Sequence, residues 1–181
     1  MILEIVQYGH PALRAKGRRI EEIDDEIRQL VEDMIETMID ADGVGLAAQQ
    51  IGLPLQLCVV DVIGVNHRSS AMRIAGQQVE PSDHMPLILI NPEIKPYGNA
   101  DTGVEGCLSF PGVSTDITRP YSVHVKARTF DDSLIEFEAD GLLARAVQHE
   151  YDHLQGILFI DHLEADQRRK LDPKIEALRH A

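Results

Sequence analysis

The sequence predicts an α+β fold, with mostly antiparallel sheets packed around a central helix that carries an H-E-x-x-H pattern. Three observations support it. Residues 24–40 place Ile27, Leu30, Val31, Met34, Ile35, Met38 and Ile39 at helical spacing. Residues 121–139 form two alternating runs joined by Asp131-Asp132-Ser133, the pattern of a hairpin with one wet face. Residues 141–155 return to helical spacing, and the apolar stripe of Leu142, Leu143, Ala146 and Val147 runs into His149 and His153. Helix, then strands, then helix is an α+β order.

Each element has its own local signals. Asp24 is placed to cap the first helix, acids crowd its first turn, and Gly43 stands where it can end. Small residues dominate Gly43-Val44-Gly45-Leu46-Ala47-Ala48-Gln49-Gln50, so the backbone there can lie close to another group. Residues 57–62 read as a strand, and the polar stretch 64–86 reads as a long loop. Residues 87–90 read as a second strand, stopped by Asn91-Pro92. In the hairpin, Val123, Val125, Ala127 and Thr129 oppose His124, Lys126 and Arg128. Asp140 is expected to cap the second helix, with Gly156 past its end. From about residue 164 a helical tail is expected to break at Pro173, with Asp172 capping a fresh last helix.

The bulk composition narrows the function classes. A chain of 181 residues fits one domain, 1–181, with the tail at its end. Aromatic residues make up 4% and there is no Trp, so the core must be aliphatic. The formal net charge of −13 repels phosphate backbones and disfavours bulk nucleic-acid or specific DNA binding. The charge is uneven: residues 21–42 hold ten acids and one base, whereas 165–181 hold five bases and three acids. Solvated helix faces account for both runs. Two cysteines, Cys58 and Cys107, form no disulfide framework. The first residues lack a basic segment before a long apolar run, and no stretch of ~18 apolar residues could span a bilayer. The expected location is a reducing cytoplasm, without membrane attachment.

His149-Glu150-Tyr151-Asp152-His153 carries the chemistry. Histidines four apart on a helix share a face, so both imidazoles can reach one ion, and Glu150 lies beside the first of them. A catalytic site needs a third protein ligand and one open position. A zinc endopeptidase would find that ligand downstream, but the spacing falls on Phe159, and only Glu164 and Glu176 follow, in the polar tail. Upstream, Cys107 in Glu105-Gly106-Cys107-Leu108-Ser109 offers a thiolate, a soft ligand that a metal deprotonates. Cys58, inside an apolar run, reads as core. A non-catalytic ribosome- or peptide-binding module with a closed structural metal would need neither Glu150 nor Gln50.

Taken together, residues 43–50, 105–109 and 148–153 resemble the three signature motifs of the peptide deformylases, in the family's order. The resemblance implies hydrolysis of the formamide of polypeptides that begin with N-formylmethionine, releasing formate. It implies one divalent metal, ferrous iron first, with zinc, nickel or cobalt able to occupy the site. It places the metal ligands on Cys107, His149 and His153, the acid–base on Glu150, and the active-site glutamine on Gln50. Gln50 and the Leu108 backbone N–H would donate to the developing oxyanion. Gly45 and Gly106 would leave room for substrate backbone, and Val44, Leu142 and Ala146 would line the methionine pocket. Arg119 is the basic residue expected to contact peptide. Arg145 is expected either to point outward or to shape substrate preference. The basic tail is expected to dock on the ribosome near the exit of new chains.

Overall fold

The computed structural model describes residues 1–180. Helix α1 spans Asp25–Asp40, and the Asp24 carboxylate accepts the Ile27 N–H at 2.9 Å, the expected cap. Its end differs from expectation. Asp42, not Gly43, takes the left-handed conformation, and the Gly43 N–H closes on the Met38 carbonyl at 2.9 Å.

Strands β1 (Gly45–Ala47), β2 (Leu57–Val60), β3 (Ser70–Ile74), β4 (Gln77–Val79), β5 (Leu87–Gly106), β6 (Ser114–Arg128) and β7 (Leu134–Gly141) form one antiparallel sheet in the order β1-β2-β5-β6-β7-β3-β4. Two of these strands overturn the expected loop at 64–86. The chain turns at Ala75-Gly76, both at positive φ, and β3 completes its hydrogen bonding on β7. Pairing to a strand some seventy residues away outweighs the polar composition of the segment. Nor does Asn91-Pro92 stop a strand. It marks a register shift within β5, where the Asn91 side chain takes over as backbone partner, donating to the Ile20 carbonyl and accepting the Ile20 N–H.

Helix α2 (Leu142–Leu154) packs on the sheet, and every side chain from Leu142 to Glu150 is buried. Asp140 does not cap it. That carboxylate is taken by Arg73 at 2.7 Å and by the Ser122 hydroxyl at 2.7 Å. Gly141, at φ 71°, turns the chain instead, and the first N–H groups of α2 go to the Ser69 carbonyl and the Ser70 hydroxyl, both at 3.0 Å. Gly156 does lie past the end, at positive φ.

Helix α3 (Ala165–Arg179) runs unbroken through Pro173. A proline inside a helix costs about 3 kcal/mol. Burial of Ile175 and packing of Leu171 and Leu178 against Tyr8, Phe110 and Phe159 offset it, so no fresh helix starts at Asp172. A second core cluster joins α1 to the opposite side of β1 and β2. No helix among the described residues is long and apolar enough to cross a membrane.

Candidate metal centre and active site

Three separate stretches of chain meet at one point. Helix α2 brings His149 and His153 onto the same face, their rings 5.0 Å apart. The turn that follows β5 brings Cys107, whose sulfur lies 3.4 Å from His153 Nε2. All three ligand atoms fall within 4.8 Å of one another. Gln50, on a short 3-10 helix at Ala48–Ile51, reaches the same point: its Nε2 donates to Cys107 Sγ at 3.5 Å and to Ser109 Oγ at 3.3 Å. Its Oε1 accepts the Ala47 N–H at 2.9 Å, which fixes the amide so that its NH2 faces the sulfur.

Below the cluster lies a buried charge network centred on Glu105. This carboxylate accepts from His149 Nδ1 at 2.9 Å, from Arg119 at 2.6 and 3.0 Å, and from Arg145 at 2.8 Å. Burial alone would raise its pKa, but the hydrogen bonds from His149 and Arg119 hold it well below the usual carboxylate range. Glu105 is thus an anion that orients His149 through Nδ1 and leaves Nε2 toward the cluster. Burial holds His153 well below its ordinary pKa, which favours the neutral form a ligand needs; at His149 burial also lowers the pKa, but Cys107, Glu105 and Glu150 outweigh it and raise it well above the ordinary value.

Glu150 is the other buried carboxylate. Burial, only partly offset by His149, pushes it up to about 7. Its Oε2 has no hydrogen-bond partner in the protein, nor has His153 Nδ1. A Cβ on Gly45 would lie 2.7 Å from Glu150 Oε1, so the glycine is what gives this carboxylate its place. A cavity of about 520 Å³ opens over the cluster, lined by Val44, Leu108, Leu142 and Ala146 together with Gln50, Glu150 and Cys107.

The polypeptide deformylase family model matches residues 2–169. The chain is 47% identical over 179 residues to the peptide deformylase of Methylacidiphilum infernorum, covering 99% of this chain and 94% of that one. Its structure is similar to a crystal structure of a peptide deformylase from Synechococcus elongatus in complex with actinonin, with TM-score 0.80, 39% identity, and 95% and 85% of the two chains covered. It is likewise similar to the Ehrlichia chaffeensis peptide deformylase, with TM-score 0.84, 34% identity, and 99% and 96% covered. The chain belongs to the polypeptide deformylase family. Its activity is metal-dependent hydrolysis that removes the N-formyl group from newly made polypeptides.

Within this deformylase fold, the expectation for Arg119 fails, and of the two alternatives for Arg145 only the outward one does. Arg119 is buried, held between Glu105 and Asp152, and does not line the cavity. Arg145 does not point outward. It is 4% exposed and bonded to Glu105, to the Ile117 carbonyl and to Asp101. Gly45 makes room first for Glu150 rather than for a ligand, whereas Gly106 is exposed at the cavity wall. Glu164, the peptidase alternative, is exposed at the start of α3 and lies outside the metal cluster. Sequence reasoning missed Glu105 as the partner of His149, and Ser109 as a partner of Gln50. The signal for Glu105 was present: a carboxylate two residues before a candidate thiol ligand falls close to the same cluster.

Proposed function

We propose that Cys107, His149 and His153 hold the catalytic metal, ferrous iron in the cell, and that Glu150 and Gln50 carry the proton and charge transfers of deformylation. What supports this most is the convergence of one thiol and two imidazoles beside a buried carboxylate with an unpartnered oxygen. The donor set suits iron, zinc, nickel and cobalt alike in type. When bound, such a cation lowers the pKa of water and polarises the formyl oxygen. A cation there also lowers the Glu150 pKa from its raised value, so the carboxylate is available as a base at neutral pH.

The protein's own groups do the rest. Glu150 takes the proton of the attacking water and delivers it to the departing amine nitrogen, giving formate and a free N-terminus. The Gln50 NH2 and the Leu108 backbone N–H donate to the formyl oxygen as negative charge builds on it. Val44, Leu142 and Ala146 supply the apolar wall against which the methionine side chain packs, and Gly106 leaves space for substrate backbone. Residues 1–181 act as one catalytic domain with α3 as its appended tail. We place the protein in the cytoplasm, where its substrates are made, and α3 on the ribosome near the exit of new chains. Arg169, Lys170, Lys174 and Arg179 are exposed along that helix.

Formate release from a formyl-Met tripeptide, measured against cleavage of the unformylated peptide, tests the reading. Glu150→Gln should keep about one metal per chain while turnover drops by roughly 10²-fold or more. Near-normal turnover in that variant would falsify the mechanism. Removal of residues 165–181 should weaken low-salt co-sedimentation with ribosomes and spare hydrolysis of the short peptide.

A further inference from the structure

Two guanidinium groups line the cavity, and they are not alike. Arg145 is answered by Glu105 and Asp101. Arg68 has no carboxylate partner among the described residues; its one protein hydrogen bond runs from Nη1 to the Val104 carbonyl at 2.9 Å. We propose that Arg68 is the outer end wall of the pocket that takes the first side chain of the substrate, and so sets how long that side chain can be. The proposal rests on the placement of the reaction at Cys107, His149 and His153.

Two independent paths lead from the cluster to Arg68. Along α2, Arg145 and Ala146 lie about one turn before His149 and Leu142 about two, some 10 Å in all at ~1.5 Å per residue. At that end the Leu142 N–H is held by the carbonyl of Ser69, the neighbour of Arg68. Along β5, Gly103 lies four residues before Cys107, about 13 Å in an extended chain. A Cβ on Gly103 would stand 2.8 Å from Arg68 Nη2 and 3.3 Å from Arg145 Nε. The strand wall therefore finishes at the Arg68 guanidinium, and the helix wall at the backbone beside that residue. The wall between them is apolar, from Val44, Val65, Val104, Leu142 and Ala146.

A straight side chain entering from the cluster meets apolar surface first and a tethered cation last. One of methionine's length is accommodated. A longer one must push its terminal methyl against the guanidinium or displace it from the Val104 carbonyl. Neither is favourable, because an alkyl group offers the freed N–H donors no acceptor. Arg68 acts here through the binding of the first side chain, apart from the proton transfers.

The test compares two formyl-X-Ala-Ser peptides, with X as norleucine, which has methionine's length, or 2-aminooctanoic acid, two methylenes longer. The metal-loaded protein should favour norleucine in kcat/KM by about tenfold or more, the range one or two ill-fitting methylenes produce. In Arg68→Ala that ratio should collapse toward one, through a gain on the longer substrate expressed mainly in KM. Arg68→Lys, which keeps a cation able to reach the Val104 carbonyl, should restore much of the preference. A wild-type ratio near one would overturn the proposal, and so would an Arg68→Ala protein that loses both activities in equal proportion. Absence of formate from both peptides in every form would instead remove the placement of the reaction on which it rests.

Discussion

Helices α2 and α3 are nearly the same length and could hardly be more differently embedded. In α2 the run Leu142–Glu150 is buried without a break, against β1, β2, β6 and β7, and three of its polar members are tied down: Arg145 by Glu105 and Asp101, Gln148 by the Pro120 carbonyl, His149 by Glu105, while Glu150 keeps an unpartnered oxygen. In α3 only Ile175 is fully buried, and the charges pair with one another along the helix, as Arg168 does with Asp172. The contrast shows what a helix needs, beyond its motif, to hold a candidate metal site. His149 and His153 can present fixed nitrogens because surrounding elements leave them no alternative. A helix like α3, held by one apolar edge, can carry charge to a partner but cannot position a ligand to a fraction of an ångström.

The largest effect should come from breaking the centre itself. Cys107→Ser replaces the sulfur proposed to bind the metal with a hydroxyl that is far less acidic than a thiol and poorly suited to a borderline metal. Metal should be lost on dialysis and activity with it, whereas Cys58→Ser, in the core of β2, should keep both. Stoichiometric metal and full turnover in Cys107→Ser would show that another residue is the third ligand.

Next in size is the network beneath. Glu105→Gln strands Arg119 and Arg145 in the interior with one anion removed, and breaking a buried pair in this way costs about 3–5 kcal/mol. Metal affinity should weaken by about 10–100-fold, since His149 loses its orienting carboxylate. Chemical denaturation and metal titration read the two effects separately. Glu105 also gives a signed pH dependence. Its folded pKa lies below the ordinary glutamate value of 4.5, so its contribution is complete above that value and is lost as pH falls through the folded one. Glu105→Gln should therefore lose less stability than the parent on acidification below about pH 4.5. Equal acid sensitivity in the two proteins would place the acid-labile contact elsewhere.

The smallest effect belongs to α3. Pro173→Ala returns a backbone N–H to an exposed position in the helix interior and should raise stability, by no more than about 3 kcal/mol. Peptide hydrolysis should not change. A measurable shift in metal affinity would mean that α3 is coupled to the centre after all, and the contrast between the helices would weaken.

Much of this was written locally. The 3.6-residue period of 24–40, the alternation of 121–139 and the Asp24 cap needed no tertiary information, because each depends on neighbours a few residues away. The H-E-x-x-H spacing likewise fixed which side of α2 carries both histidines toward the Cys107 cluster, and the three motifs together pointed to the family. What the sequence alone left undecided were the matters settled by distant partners. Residues 70–79 form strands because β7 offers an edge; Asp140 is diverted from capping by Arg73 and Ser122; α3 continues through Pro173 because Ile175 has a core to enter. Arg119 reads as a peptide contact and Arg145 as either outward or pocket-shaping; both are interior cations, since the Glu105 carboxylate compensates both, with Asp152 and Asp101 completing their shells. Local chemistry chose the reactive groups, and long-range packing decided which of their charges are buried, paired and aimed, because burial and pairing are properties of neighbours that the chain brings together only when it folds.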